Sequence, residues 1–65
     1  MKLVFTRKAV PLRESPTSRA VVGTIPANTA VVIVMRQGAW LQVVHQGTGD
    51  ALESGWIEVR DLDLP

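Results

Sequence analysis

Short apolar runs separated by turn-forming residues recur along the 65-residue chain. They repeat at intervals of about 8–12 residues, which is typical of a small β-sandwich or β-barrel. The predicted strands are 2–6 and 9–12 (one strand broken at Arg7-Lys8), 20–25, 30–35, 39–45 and 55–57. One helical turn is predicted over 58–62. No amphipathic segment is long enough to form a stable helix by itself.

Three details of the pattern predict positions in the sheet. Pro11 lacks a backbone N–H, so its strand is expected at an edge or beside a bulge. The β-branched run 30–35 predicts a central strand that is buried on both faces or nearly so. Alternation along 39–45 separates two faces: Trp40, Gln42 and Val44 against Leu41, Val43 and His45. The presence of Gln42 predicts that the Trp40 face is partly solvated.

The segments between the predicted strands contain turn-forming residues. Residues 26–29 (Pro-Ala-Asn-Thr) predict a β-turn in which Asn28 adopts the left-handed conformation. A turn is expected at 36–38, and an irregular loop over 13–19. Residues 46–54 predict a polar loop about twice as long as a typical hairpin loop.

An apolar core has to stabilise this chain, because no other device is available to it. The sequence has no cysteine and one histidine, which excludes disulfides and a structural zinc site. We therefore expect neither a metal nor a cofactor, and a stability of roughly 3–5 kcal/mol. The predicted core residues are Val4, Val10, Leu12, Val22, Ile25, Val31, Ile33, Leu41, Val43, Trp56, Ile57 and Leu62.

Charge gives no indication of a polyanionic partner. Seven basic residues are dispersed among six acidic ones, so binding of nucleic acid is disfavoured. No apolar stretch is long enough for a membrane span, and the apolar start 1–5 ends too early for a signal peptide. The chain is therefore expected to be cytoplasmic as it stands, or an envelope or extracellular domain excised from a longer protein.

Four fragments in order resemble the bacterial Src homology 3 (SH3-like) family. They are Val10-Pro11-Leu12-Arg13-Glu14-Ser15-Pro16, Val22-Gly23-Thr24-Ile25, Ala39-Trp40-Leu41-Gln42-Val43, and Gly55-Trp56-Ile57 with Asp61-Leu62. The resemblance covers residues 2–64 as one domain. It implies an SH3-like barrel of five to six antiparallel strands with one short helical turn near the C-terminus.

Two positions depart from the family pattern. Asn28 stands where the family usually has glycine, which conserves the left-handed backbone. The family hairpin that corresponds to 46–54 is usually tight, so this segment is expected to be an insertion particular to the protein.

Catalysis is not expected. The serines, six carboxylates and His45 form no recognisable nucleophile–base set, and His45 is expected to be a surface or hairpin residue rather than a base. A carboxylate pair for glycoside hydrolysis would have to come from Asp50, Glu53 and Glu58. A barrel of this size offers little room for a dry cleft.

The resemblance implies a noncatalytic module that recognises a protein or peptide through its loops and targets its parent protein to a surface such as the cell wall. The candidate binding residues are Trp40, Arg13, Glu14, Arg36 and Glu58. Trp40 either lines a groove or caps the barrel end. Arg13 either holds a ligand carboxylate with its planar fork or pairs with Glu14 or another acid.

Two other functions stay open at this stage. One is direct binding of cell-wall peptide, and the other is a structural role in which an exposed apolar patch forms oligomers. Recognition of proline-rich peptides is disfavoured, because that mode needs an aromatic-lined groove and the chain has no tyrosine and three aromatic residues.

Overall fold

Residues 2–47 and 49–62 are described by a computed structural model. Within them, six antiparallel strands form one sheet, followed by a 3-10 turn, Val59–Leu62. The all-β class and the helical turn are thus confirmed. The strands are β1 (Lys2–Phe5), β2 (Val10–Arg13), β3 (Val21–Ile25), β4 (Ala30–Gln37), β5 (Trp40–Gln46) and β6 (Leu52–Glu58).

The order of the strands requires the sheet to curl. The order is β1-β4-β5-β6-β2-β3, and residues 26–29 join β3 directly to β4. In a flat sheet, four strand spacings would separate these two strands by about 19 Å. The connecting residues span less than about 18 Å even when fully extended. Their turn therefore closes the sheet into a small barrel.

Thr6, directly after β1, fastens this closure. The residue is 1% exposed, and its hydroxyl donates to the carbonyl of Pro26 (2.7 Å) and accepts from the N–H of Thr29 (3.0 Å). Its N–H donates to the carbonyl of Thr29, and its carbonyl accepts from the N–H of Asn28. These bonds hold the end of β1 against the turn 26–29. The core prediction missed Thr6 because its side chain is polar.

The backbone of Asn28 confirms the predicted turn. Its φ is 60°, in the left-handed region, where asparagine is among the few tolerated residues besides glycine. The asparagine that stands here in place of the family's usual glycine is therefore compatible with the local backbone.

The core lies on the concave side of the sheet. Its buried apolar residues are Val10, Leu12, Ile25, Val31, Leu41, Val43, Ile57 and Leu62, and all were predicted. Val4 and Ile33 are half-buried against them. Two predicted core residues are wrong. Val22 is 54% exposed, and Trp56 is half-buried on the outer face, opposite in alternation to the buried Ile57.

The first two strands are separate elements. β1 pairs with β4, whereas β2 pairs with β3 and β6, so residues 2–12 do not form one broken strand. Pro11 is not on an edge strand, but a register irregularity follows it between Leu12 and Arg13. Among the described residues, β2 pairs with β6 only at Arg13. Pro11 therefore lies outside this ladder, where its missing N–H is tolerated.

Three other expectations are wrong. β4 is not buried on both faces, because its half beyond Ile33 extends past β1 and leaves Val34 and Met35 about half exposed. The turn predicted at 36–38 lies instead at Gly38-Ala39. The polar stretch 46–54 is strand at both ends: Gln46 pairs with Leu52, and residues 47–51 connect β5 to β6. The hairpin has no long insertion.

Candidate functional site

The outer faces of β5, β6 and β2 bring both tryptophans close to two of the predicted charged residues. Trp40 lies opposite Glu58, and Gln42 lies opposite Trp56. Trp56 in turn lies opposite Arg13 on β2. The two tryptophans are diagonal neighbours, at a spacing of about 7–8 Å that lets aromatic side chains interact. The predicted alternation of β5 is confirmed, since Trp40, Gln42 and Val44 are half-buried outward and Leu41, Val43 and His45 are buried.

Gly55 allows the close approach that places Arg13 beside this face. A Cβ on Gly55 would lie 2.6 Å from Cγ of Leu12 and 2.8 Å from the carbonyl oxygen of Arg13. Both distances are too short for a side chain. The absence of a side chain at this inward position lets β6 pack directly on β2, with Leu12 filling the core space above it.

One open cleft of about 370 Å³ borders this face, and we refer to it as the Trp40 cleft. Its lining includes three of the predicted binding residues: Arg13, Trp40 and Glu58. The opposite wall is the β2–β3 loop, through Pro16, Thr17, Ser18 and Arg19. Residues far apart in sequence therefore meet in a single surface depression.

The β2–β3 loop is held in shape by its own hydroxyl groups. The N–H of Ser18 donates to Oγ of Ser15 (3.2 Å), and the N–H of Ala20 donates to Oγ of Ser18 (3.0 Å). The N–H of Glu14 donates to the carbonyl of Ala20 across the base of the loop. Local bonds of this kind order a polar loop without regular secondary structure.

The charges around the cleft differ in their pairing. Glu58 accepts from Nε of Arg60 at 2.6 Å, so its carboxylate is already paired. Arg13 makes only a long hydrogen bond from Nη1 to the carbonyl of Arg19, at 3.4 Å. Among the described residues no carboxylate lies within 4 Å of its guanidinium, and the alternative of an ion pair with Glu14 is not found. The cleft lining thus includes two arginines, Arg13 and Arg19, that have no carboxylate partner among the described residues, together with the indole ring of Trp40.

Two predicted binding residues lie apart from this lining. Glu14 is exposed at the base of the β2–β3 loop. Arg36 is exposed near the end of β4, where its Nε donates to the carbonyl of Gly38 (2.9 Å). Their roles in binding stay predictions.

The carboxylates considered for glycoside hydrolysis are not brought together. Glu53 and Glu58 lie at opposite ends of β6. No group of three or more potential metal ligands is placed together among residues 2–47 and 49–62. In the same ranges, no helix has the length and apolar character of a membrane span.

A second cleft, of about 270 Å³, lies at the other end of β5 and β6, and we refer to it as the His45 cleft. His45 lies in the β5–β6 hairpin, which was one of its two expected places, but it is buried, with only 5% of it exposed. Its pairing partner Glu53 shares the lining, with the turn 26–29 forming another wall. Alternation with Leu41 and Val43 was the sequence signal that could have placed His45 inside.

The outer face of β1, β4 and the adjoining strands is apolar. A groove of about 400 Å³ runs over it, and its lining includes Leu3, Val32, Val34, Val44 and Leu52. Leu3 and Leu52 are largely exposed, as is the neighbouring Phe5. This face is distinct from the Trp40 cleft.

A small, strongly curled antiparallel sheet with a cleft between the β2–β3 loop and the outward Trp40 defines a small barrel of the SH3 type. The chain belongs to the bacterial SH3 domain family, whose model matches residues 8–63. Searches of curated proteins and of solved structures gave no significant match. Bacterial SH3 domains are generally binding modules for proteins or peptidoglycan peptides.

Proposed function

We propose that this protein is a noncatalytic module that binds an extended protein or peptide segment in the Trp40 cleft. The observation that carries the proposal is the guanidinium of Arg13, which has no carboxylate partner among the described residues and shares a cleft lining with the half-buried indole of Trp40. A planar guanidinium binds carboxylates through two parallel hydrogen bonds. An indole ring provides an adjacent apolar contact. The preferred ligand therefore has a carboxylate next to an apolar side chain.

The order of the β2–β3 loop supports recognition without large rearrangement. Its hydroxyl bonds fix the cleft wall before a ligand arrives, which reduces the entropy lost on binding. A proline-rich ligand remains disfavoured. Only one aromatic residue lines the cleft, whereas a polyproline helix needs a groove lined by several.

Peptide arrays provide the direct test. Short peptides with an acidic residue or a free C-terminal carboxylate beside an apolar residue are expected to bind, and their amidated, neutral counterparts are not. Trp40→Ala and Arg13→Gln should each abolish binding while the circular dichroism spectrum stays unchanged. Arg7→Gln is the matched control, since this exposed arginine lies outside the cleft. Equal binding by all variants would refute the proposal.

The cell-wall peptide is one specific ligand of this chemical kind. Co-sedimentation with purified peptidoglycan tests it, with Trp40→Ala as the variant that should remain in the supernatant. If the wild-type domain stays in the supernatant as well, the cell wall is discarded as the partner.

A second candidate function, self-association, is favoured by the apolar outer face with its exposed Leu3, Phe5 and Leu52. Among the described residues, β1 pairs only with β4 and lies at the edge of the sheet. Antiparallel pairing of β1 with the same strand of a second copy would extend the sheet and bury part of this face. Light scattering at increasing concentration tests the idea, and Leu3→Lys should reduce any dimer. A strict monomer contradicts it.

A further inference from the structure

His45 is a buried polar residue whose ring nitrogens lack a hydrogen-bond partner among the described residues. Its side chain is 3% exposed, and neither Nδ1 nor Nε2 is bonded. Buried polar groups in folded proteins are nearly always bonded, so an exception calls for an explanation. The ring lines the His45 cleft, but its nitrogens are themselves covered, so a ligand in the cleft reaches them when a neighbouring side chain such as the half-exposed Glu53 shifts.

The carboxylate of Glu53 lies beside this ring without forming a hydrogen bond to it. Oε2 is 3.8 Å from Nε2 of His45, which is too long for a hydrogen bond. A single donor atom placed about 2.9 Å from each of them would bridge the gap with two bonds of normal length. The two acceptors can therefore share one ligand atom that carries at least two hydrogens.

The position of the carboxylate depends on the absence of a side chain at Gly47. A Cβ there would lie 2.7 Å from Cδ of Glu53 and closer still to Oε1. Gly23 also lies near the carboxylate, since a Cβ at that position would lie 3.4 Å from Oε2, about an ordinary contact distance. Glu53 is thus seated between two glycines, next to His45 and still 43% exposed to an approaching ligand.

The charge of the lining selects a cation. Glu53 is the one formally charged residue in the described lining, which otherwise contains neutral polar groups, Pro26 and the histidine. An anionic ligand would be repelled by this carboxylate. A metal ion would find two protein ligands here, fewer than a stable site uses. A protonated amine carries both the positive charge and the several N–H donors that the two acceptors require.

We propose that the His45 cleft binds a protonated primary amine, held between Oε2 of Glu53 and a ring nitrogen of His45. The cleft volume of about 270 Å³ accommodates the ammonium group and a short carbon chain behind it. The amine belongs to a small molecule, a lysine side chain or a peptide N-terminus. The site is independent of the Trp40 cleft, because Trp40 and His45 are five positions apart on β5, a distance of about 17 Å.

A nuclear magnetic resonance titration of the whole chain tests the proposal. Ethylammonium chloride is expected to shift the ring signals of His45 saturably, whereas tetramethylammonium chloride at the same ionic strength is not, since it has charge but no N–H donor. Nα-acetyl-lysine methylamide and glycine amide then distinguish a side-chain amine from an N-terminal one. If ethylammonium gives no saturable shift, or tetramethylammonium binds equally well, the proposal is overturned.

Variants locate the site. Glu53→Gln keeps the size of this half-exposed side chain and should weaken ethylammonium binding about tenfold, because a hydrogen bond to a charged group is lost. Gly47→Ala should also weaken it by displacing the carboxylate. Asp50→Asn, an exposed carboxylate in the same hairpin connection, is the control and should bind as the wild type does. Unchanged affinity in Glu53→Gln, with an intact amide spectrum, would show that the amine is not held here.

Discussion

The two ends of the β5–β6 ladder carry similar residue pairs and expose them in opposite ways. At one end the ring of Trp40 lies across from Glu58, and at the other the ring of His45 lies across from Glu53. Trp40 is outward and half-exposed, whereas His45 is inward and buried. The five-residue separation is an odd number, so alternation alone puts the two rings on different faces. A substitution at the first end should affect binding, and one at the second should affect stability as well.

The largest expected effect separates the inner face from the outer face of β6. Ile57→Ala should lower the free energy of unfolding by about 2–5 kcal/mol, since its side chain is fully buried. This matches the whole expected stability of a domain of this size. Trp56→Ala, one residue away on the half-exposed face, should cost less. Urea unfolding of both variants makes the measurement, and the reverse ranking would contradict the assignment of faces.

A substitution at Gly55, midway along β6, tests how closely β6 packs against β2. Gly55→Ala should destabilise the protein by about 1–3 kcal/mol, because the new methyl group would collide with Leu12 and with the backbone of Arg13. Ser54→Ala, at the exposed neighbouring position, is the control and should unfold at the same urea concentration as the wild type. Equal stability of the Gly55 variant would show that β2 can move away from β6 at no cost.

His45 gives a smaller effect, and its sign is informative. His45→Leu should raise the stability of the free protein by about 1 kcal/mol, because it removes two buried nitrogens that lack partners. The same variant should lose the amine-dependent shifts of the backbone amides around the cleft. Thermal unfolding without ligand makes the measurement. A less stable variant would mean that the imidazole is needed for the packing of this end.

The smallest effect concerns the turn that forms one wall of the His45 cleft. Asn28→Gly should change stability by a few tenths of a kcal/mol at most, since both residues tolerate the left-handed backbone. Asn28→Val should cost about 1–2 kcal/mol, because a β-branched side chain is strained there. Denaturant midpoints compare the two, and equal midpoints would exclude strain at this position.

The sequence predicts the parts of this fold that depend on local pattern. Alternation in 39–45, the turn at Asn28 and the eight buried aliphatic residues follow from side-chain period and turn chemistry. What it misses depends on long-range pairing. Leu52–Ser54 look like loop residues, yet register with β5 makes them strand. Val22 looks like core, but β3 is an edge strand that turns this residue outward.

The candidate site divides in the same way. Arg13 and Trp40 lie in the family fragments and Glu58 directly follows one of them, and the geometry brings the three into one cleft. Arg36 was chosen for its place in a turn, but the β4–β5 hairpin carries it away from that cleft. The environment of His45 could not be predicted, because the turn 26–29 that covers it is distant in sequence and reaches it only through barrel closure.

β1 lies outside the region matched by the family model, yet it covers an edge of the matched sheet. The matched region starts at residue 8, so β1 and Thr6 precede it. Yet β1 occupies the hydrogen-bonding edge of β4 along Ala30–Ile33, a run rich in β-branched residues. A chain trimmed to the matched boundary would leave that edge open to other chains, and the shortened domain would be prone to form intermolecular sheets.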